Sequence, residues 1–173
     1  EVSQFVATAE AVAVFCPTEH KGYDYGEMVD RVAQERDSLR FGIVLGEAPE
    51  GSSVQYVSLA TLLEQRPKAE WVEAVEAVEI DPDDPAVMQL SGGTTGVPKL
   101  IPRTHNDYLY NTLTSARTYG LTGDDVYLVV LPAGHNFPLA CPGLQGFLMA
   151  GARVVVSNSA KPSAVFRLIE AHR

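Results

Sequence analysis

The stretch 88–103, Met-Gln-Leu-Ser-Gly-Gly-Thr-Thr-Gly-Val-Pro-Lys-Leu-Ile-Pro-Arg, constrains this chain more than any other. Ahead of its glycines, Ala86-Val87-Met88-Gln89-Leu90 is a short apolar run bounded by Pro85 and a turn cluster, which predicts a buried strand; from Thr104 the pattern is helical. Between the two, Gly92, Gly93 and Gly96 permit positive φ and, lacking a Cβ, let a polyanion approach the main chain closely. Backbone N–H groups turned inward make an anion-binding concavity. Ser91, Thr94 and Thr95 add hydroxyl donors, and Lys99 adds a point charge suited to phosphate. A polyphosphate is the ligand such a loop takes. The spacing is neither G-x-x-x-x-G-K-[ST] nor G-x-G-x-x-G, so the P-loop and Rossmann fingerprints both fail. By composition alone a surface turn between strand and helix is an equal reading. The tight clustering of every donor type with a lysine just beyond favours the phosphate loop.

Around this loop the pattern alternates between helix and strand. Val2, Phe5, Val6 and Ala9 have helical spacing, 11–16 reads as a strand closed by Pro17, and 18–23 reads as loop. Asp24, with Glu27 three residues on, predicts a capped helix whose apolar stripe is Met28, Val29, Val32 and Ala33. A strand at 41–45 and a short helix at 58–63 follow. From Pro67 to Pro85 the chain turns acidic and irregular, and 67–85 is read as a surface connection; evenly spaced carboxylates are far more often a solvated face than a metal site.

Beyond the loop, Thr104 with Asp107 predicts a helix start, Leu109, Leu113 and Ala116 its core face, and Gly120 its end. His105 is read as a solvated first-turn residue. The run 126–131 is apolar and β-branched enough for a strand buried on both faces. A short helix at 143–150, a strand at 153–157 and a helix at 162–172 facing Val165, Leu168 and Ile169 inward complete the pattern. The expected class is α/β, a largely parallel sheet flanked by helices on both faces. Ligands of such sheets gather beyond the carboxyl ends of the strands. The phosphate loop and the loop after Leu131 are therefore expected on one edge of one sheet.

That second loop, 132–143, holds three prolines that stiffen it, so His135 and Asn136 can be fixed polar groups or ordinary turn residues. The net charge of −9 is divided unevenly. Residues 1–98 carry 6 Lys and Arg against 18 Asp and Glu, a net −12, whereas 99–173 carry 7 against 4, a net +3. This balance argues against a nucleic-acid or anionic-membrane partner, which would need clustered Lys and Arg. Pro132 and Arg153 interrupt the longest apolar runs, well short of the ~18 residues of a membrane span. Cys16 and Cys141, far apart and in no metal or redox spacing, suit a reducing cytoplasm.

The motif 91–99, Ser-Gly-Gly-Thr-Thr-Gly-Val-Pro-Lys, resembles the phosphate loop of the adenylate-forming superfamily, which comprises acyl- and aryl-CoA synthetases, luciferases and nonribosomal-peptide adenylation domains. The segments 100–108, Leu-Ile-Pro-Arg-Thr-His-Asn-Asp-Tyr, and 135–143, His-Asn-Phe-Pro-Leu-Ala-Cys-Pro-Gly, resemble the stand-alone aryl-acid AMP ligases of siderophore biosynthesis, which activate salicylate or 2,3-dihydroxybenzoate. The resemblance spans the whole chain, loosely before about Asp84. It implies that 1–173 is a central part of the N-terminal, AMP-binding domain of a longer adenylating enzyme, in keeping with the missing initiator Met and the uncapped C-terminal helix. It implies that Ser91, Gly92, Gly93, Thr94, Thr95, Gly96 and Lys99 bind the β- and γ-phosphates of ATP, with Lys99 and His135 serving catalysis. It implies that Asn136 binds the ortho hydroxyl of the acid, and that Phe137 packs beside it.

Cys141 departs from the serine typical of the 2,3-dihydroxybenzoate enzymes and resembles the salicylate branch. A thiol is a weak donor, so a buried 3-hydroxyl against it would lack a good partner, at a cost of ~1–3 kcal/mol. Salicylate has no hydroxyl there and is the expected acid. Resemblance also implies transfer to the phosphopantetheine thiol of an aryl carrier protein, and magnesium held by a ligand outside this chain. The adenine-binding aromatic motif, the ribose-binding aspartate and the C-terminal-domain lysine of the family are not matched, so the chain alone is expected to be nearly inactive. The alternatives are a 2,3-dihydroxybenzoate ligase, another acyl- or aryl-CoA ligase, a phosphotransferase, and a non-catalytic nucleotide-binding domain.

Overall fold

The computed structural model describes residues 1–65, 68–91 and 99–172, which form two compact units, Glu1–Glu79 and Ile80–Arg173. The first unit opens with α1 (Val2–Thr8) and β1 (Ala13–Pro17). A two-residue hairpin follows, β2 (Glu19–His20) against β3 (Tyr23–Asp24), turning through Lys21 and Gly22 at φ of 53° and 76°. The sequence predicts loop over 18–23, where this short hairpin forms instead. Next come α2 (Tyr25–Glu35), β4 (Phe41–Leu45), β5 (Gln55–Ser58), α3 (Leu59–Glu64) and α4 (Lys68–Glu76). β4 lies between β1 and β5 and runs parallel to both.

Asp24 caps α2 as its spacing predicts, its carboxylate accepting the Glu27 N–H at 2.9 Å. That fixes the rotation of α2, so Val29 and Val32 enter a core with Val6, Cys16, Leu39, Val44 and Val54 while Met28 and Ala33 pack at its margin. Burial raises the pKa of the Cys16 thiol, which behaves as a small hydrophobe. β5 went unread because only Tyr56, Val57 and their polar neighbours mark it. The acidic stretch, expected to be irregular, contains α4, a helix that buries no residue.

The second unit comprises β6 (Pro85–Leu90), β7 (Leu100–Thr104), α5 (His105–Tyr119), β8 (Val126–Val129), α6 (Asn136–Ala140), α7 (Gly143–Met149), β9 (Arg153–Val156) and α8 (Pro162–His172). β8 and β9 pair in parallel. β6 and β7 pair antiparallel, from Leu90 opposite Leu100 back to Pro85 opposite Thr104. The glycine loop thus joins two strands of a hairpin rather than a strand to a helix. Among the described residues, β6 and β8 belong to separate ladders, so the two motif loops do not share one sheet.

The architecture is nonetheless α/β, with parallel sheets flanked by helices. Burial is lower than the apolar runs predict: Met88 and Leu90 are about half exposed and Val126 is 37% exposed. A strand is buried on both faces only where both are covered. α8 forms as expected, with Val165 and Leu168 half-buried but Ile169 exposed. α5 starts at Thr104, which accepts the Asp107 N–H at 3.2 Å, and ends at Gly120 in the left-handed conformation at φ 65°. Its buried face is not Leu109, Leu113 and Ala116 but Tyr108 and Thr112, 3% and 0% exposed. One residue is 100° of helical rotation, and that displacement turns polar side chains inward.

Two consequences are measurable in the intact protein. Tyr56 donates to the Gly26 carbonyl at 2.9 Å and lies 3.2 Å from an Asp30 carboxylate oxygen. Burial first, then the Asp30 charge, raise its pKa well above the ordinary 10. The unfolded tyrosine ionises at lower pH than the folded one. The stabilisation is therefore complete below about pH 10 and lost as pH rises further. Denaturant midpoints should fall above about pH 10, and Tyr56→Phe should flatten that fall. At the α6–α7 junction, Gly143 has φ of 50°, and a Cβ there would stand 2.4 Å from the Pro138 carbonyl oxygen. Gly143→Ala should therefore lower stability by about 2 kcal/mol or more in chemical denaturation.

Candidate active site

The ladder of β6 and β7 closes the neck of the glycine loop. Ser91 N–H donates to the Lys99 carbonyl at 2.9 Å, and Lys99 N–H donates to Ser91 Oγ, also at 2.9 Å. This pair holds the two loop ends together whatever the ligand. Ser91 Oγ keeps its own proton to donate. The Lys99 side chain is exposed. Gly92, Gly93, Thr94, Thr95 and Gly96, read from the sequence as phosphate ligands, lie outside the described residues.

The second loop is partly helical. Pro132 accepts the His135 N–H at 3.0 Å, and His135 caps α6 through Nδ1, which accepts the Phe137 N–H at 3.3 Å. A neutral imidazole accepting at Nδ1 carries its proton on Nε2. The cap thus selects the tautomer. An open cavity of about 570 Å³ lies against these residues, lined in part by Val87, Gln89, Leu90, Arg103, His135 and Asn136. The end of β6 that enters the glycine loop and the start of α6 therefore meet at one cavity.

Behind its wall runs a chain of polar side chains. Gln89 Nε2 donates to Tyr108 Oη at 3.1 Å, and Tyr108 Oη donates to Asn136 Oδ1 at 3.2 Å. Asn136 Nδ2 and Asn111 Nδ2 both donate to Cys141 Sγ, each at 3.4 Å. Asn111 Nδ2 also donates to the Ala140 carbonyl at 2.9 Å. Thr112 Oγ1 donates to Gln145 Oε1 at 3.1 Å and lies 3.4 Å from the same carbonyl. Arg103, near the end of β7, forms an ion pair with Asp107 in the first turn of α5, and its guanidinium stands 5.4 Å from the Tyr108 ring centre. The Asp107 bond raises the Arg103 pKa, and the same bond lowers that of Asp107. Burial raises the Tyr108 pKa above its ordinary value.

His135 and Asn136 share the large cavity, whereas Phe137 and Cys141 line a second one of about 200 Å³ with Tyr119, Tyr127, Pro142 and Phe147. Tyr127 and Phe147 stack there with ring centres 4.6 Å apart, and Phe137 is 56% exposed. Cys141 is joined to Asn136 by the bond between them, but the structure does not bring Phe137 to the cavity that Asn136 lines. Gln89, Tyr108, Asn111 and Thr112 were not singled out from the sequence. Their one signal is that Tyr108 and Thr112 are an i, i+4 pair beside the apolar stripe, which the leucines outweighed. Among the described residues no cluster of three or more His, Cys, Asp or Glu could hold a metal ion, and no helix is long and apolar enough to cross a membrane.

The chain is similar along its whole length to known proteins. The chain is 42% identical over 172 residues, 99% of its length, to the salicyl-AMP ligase / salicyl-S-ArCP synthetase of Mycobacterium tuberculosis, of which it covers 29%. It is 41% identical over 170 residues, 98% of its length, to the 2,3-dihydroxybenzoate-AMP ligase of Bacillus subtilis, again covering 29% of that protein. Among solved structures, apo MbtA of Mycobacterium smegmatis superposes with a TM-score of 0.85 at 40% identity, over 99% of this chain and 30% of that one. The chain thus spans about 30% of the length of these relatives. The family described as AMP-binding enzyme matches residues 1–173, the entire length, and the chain belongs to that family.

Proposed function

We propose that the protein carrying this chain is an ATP-dependent aryl-acid–AMP ligase that prefers salicylate. The observation that carries this reading is the convergence of the glycine-loop end of β6 with His135 and Asn136 on one cavity, in a chain similar along its whole length to salicylate and 2,3-dihydroxybenzoate ligases. In the reaction a carboxylate oxygen of the acid attacks the α-phosphorus of ATP. The bond from that phosphorus to the oxygen bridging to the β-phosphate breaks, and pyrophosphate leaves with both electrons. Catalysis of this kind is chiefly positioning and charge stabilisation. Ser91 to Gly96 and Lys99 hold the β- and γ-phosphates and stabilise the leaving pyrophosphate. His135, with its proton on Nε2, orients carboxylate and α-phosphate.

Asn136 binds the ortho hydroxyl, and Cys141, bonded to Asn136, supports the choice of salicylate; Phe137, which lines the other cavity, is given no contact with the acid. The bonding around Cys141 supports this assignment, since its sulfur already receives two amide donors and offers only a weak S–H in return. The family resemblance implies magnesium. The described residues include no cluster of three or more His, Cys, Asp or Glu that could hold the ion, and we assign it no ligand among them. By likeness to the relative named salicyl-S-ArCP synthetase, the acyl group then passes to the thiol of an aryl carrier protein in siderophore synthesis. We place the protein in the cytoplasm, where ATP is available and both cysteines stay free. We take 1–173 as part of the N-terminal AMP-binding domain, with 67–85 as a surface connection inside it.

Acid-dependent exchange of labelled pyrophosphate into ATP by the intact protein tests the assignment. Salicylate should support strong exchange and 2,3-dihydroxybenzoate little, whereas Cys141→Ser should shift the kcat/KM ratio toward the dihydroxy acid by about tenfold. No exchange with any aryl acid from folded protein rules the ligase out. Separately, Lys99→Ala should lower the adenylation rate by about a hundredfold or more while leaving salicylate affinity, read by equilibrium binding, nearly unchanged.

A further inference from the structure

The polar chain behind the cavity has a direction, and the direction starts at Gln89. A tyrosine hydroxyl has one proton. Because the Gln89 amide nitrogen donates to Tyr108 Oη, that proton is left for Asn136 Oδ1. With its oxygen claimed, the Asn136 carboxamide must turn Nδ2 the other way, where it meets Cys141 Sγ. Were the Tyr108 hydroxyl absent, Asn136 Oδ1 would lose the donor that holds it, and the oxygen and nitrogen of the carboxamide could exchange places.

We propose that Gln89 and Tyr108 are positioning residues that fix the polarity of the Asn136 side chain, so that the site presents an N–H donor to the ortho substituent of the acid. Tyr108 touches neither nucleotide nor acid in this account and acts through Asn136. The inference rests on the aryl-acid adenylation reading and adds to it the reason an ortho oxygen is recognised as an acceptor. Sulfur is a weak hydrogen-bond acceptor, so an ortho oxygen competes well for the Nδ2 protons. Tyr108 is 3% exposed, which shields the chain from water that could otherwise replace either bond. The Arg103 guanidinium, paired with Asp107, stands 5.4 Å from the centre of its ring.

The test uses the intact protein and compares salicylate with benzoate, which lacks the ortho hydroxyl, in the pyrophosphate-exchange assay. Tyr108→Phe keeps the ring and removes the hydroxyl. Its kcat/KM for salicylate should fall about tenfold, with that for benzoate and the KM for ATP unchanged, so the preference between acids collapses. Gln89→Glu offers Tyr108 an acceptor in place of a donor, draws its proton away from Asn136, and should also reduce the preference. A purely structural role would instead lower both acids in parallel, and that result overturns the proposal. The side-chain amide of Asn136, followed by NMR in asparagine-labelled protein and assigned by its loss in Asn136→Asp, gives a readout free of chemistry. Two well-separated, slowly exchanging protons are expected in the wild type, and averaged or shifted signals in Tyr108→Phe. An amide pair unaffected by Tyr108→Phe also overturns the proposal. If wild-type protein exchanges pyrophosphate with no aryl acid, the ligase reading fails on its own, and the amide spectrum still decides whether Tyr108 orients Asn136.

Discussion

The Ala140 carbonyl receives the Asn111 side-chain amide at 2.9 Å and lies 3.4 Å from Thr112 Oγ1, and this junction ties the end of the second loop's helix to α5. α6 runs only from Asn136 to Ala140, far too short to be stable as an isolated helix. Tertiary contacts must hold it, and a face of α5 supplies several of them, with Tyr127 Oη of β8 donating to the Pro138 carbonyl at 3.3 Å. Ala140 is fully buried, so its carbonyl is sheltered from water and depends on these partners. Were α5 rotated to bury its leucine stripe, the carbonyl would lose both, and His135 and Asn136 would lose their position.

This dependence explains why a helix so near the candidate site buries polar groups. An unpaired buried amide or hydroxyl costs more than a made bond returns, so polar side chains are kept inside only where each finds a partner. Here Gln89, Tyr108, Asn136, Asn111 and Cys141 satisfy one another in series. No buried side-chain nitrogen or oxygen among the described residues lacks a partner. The reward is orientation: each group in the series limits how the next can turn.

The glycine loop is treated differently. Its ends are pinned by the reciprocal bonds of Ser91 and Lys99, and the pinning comes from a β-hairpin that needs no helix to complete it. The glycine loop and the loop that carries His135 and Asn136 thus rest on separate supports, one on a strand ladder and one on helix side chains. Lys99 and the second loop both fall in the stretch from residue 99 onward, which carries a net positive charge in an otherwise acidic chain.

Local features settled much of this from sequence. The Asp24 and Thr104 caps, the Gly120 stop, the strands at 41–45 and 153–156 and the alternation that makes the fold α/β all follow from interactions spanning a few residues, which the chain spells out directly. The nine residues of the glycine motif and the His-Asn-Phe segment likewise carried the family resemblance that the comparisons bear out. Other features were set by partners distant in sequence. Leu100–Thr104 became a strand because β6 was there to pair with it, and α5 turned Tyr108 and Thr112 inward because Asn136, Ala140 and Gln145 waited for their hydroxyls. Periodicity counts apolar side chains and is blind to a hydrogen-bond acceptor about thirty residues away. The sequence by itself therefore determined which chemical groups the protein has and which local elements carry them. Only the tertiary structure decided which way those groups face, since that depends on satisfying buried polar atoms across elements that no local pattern connects.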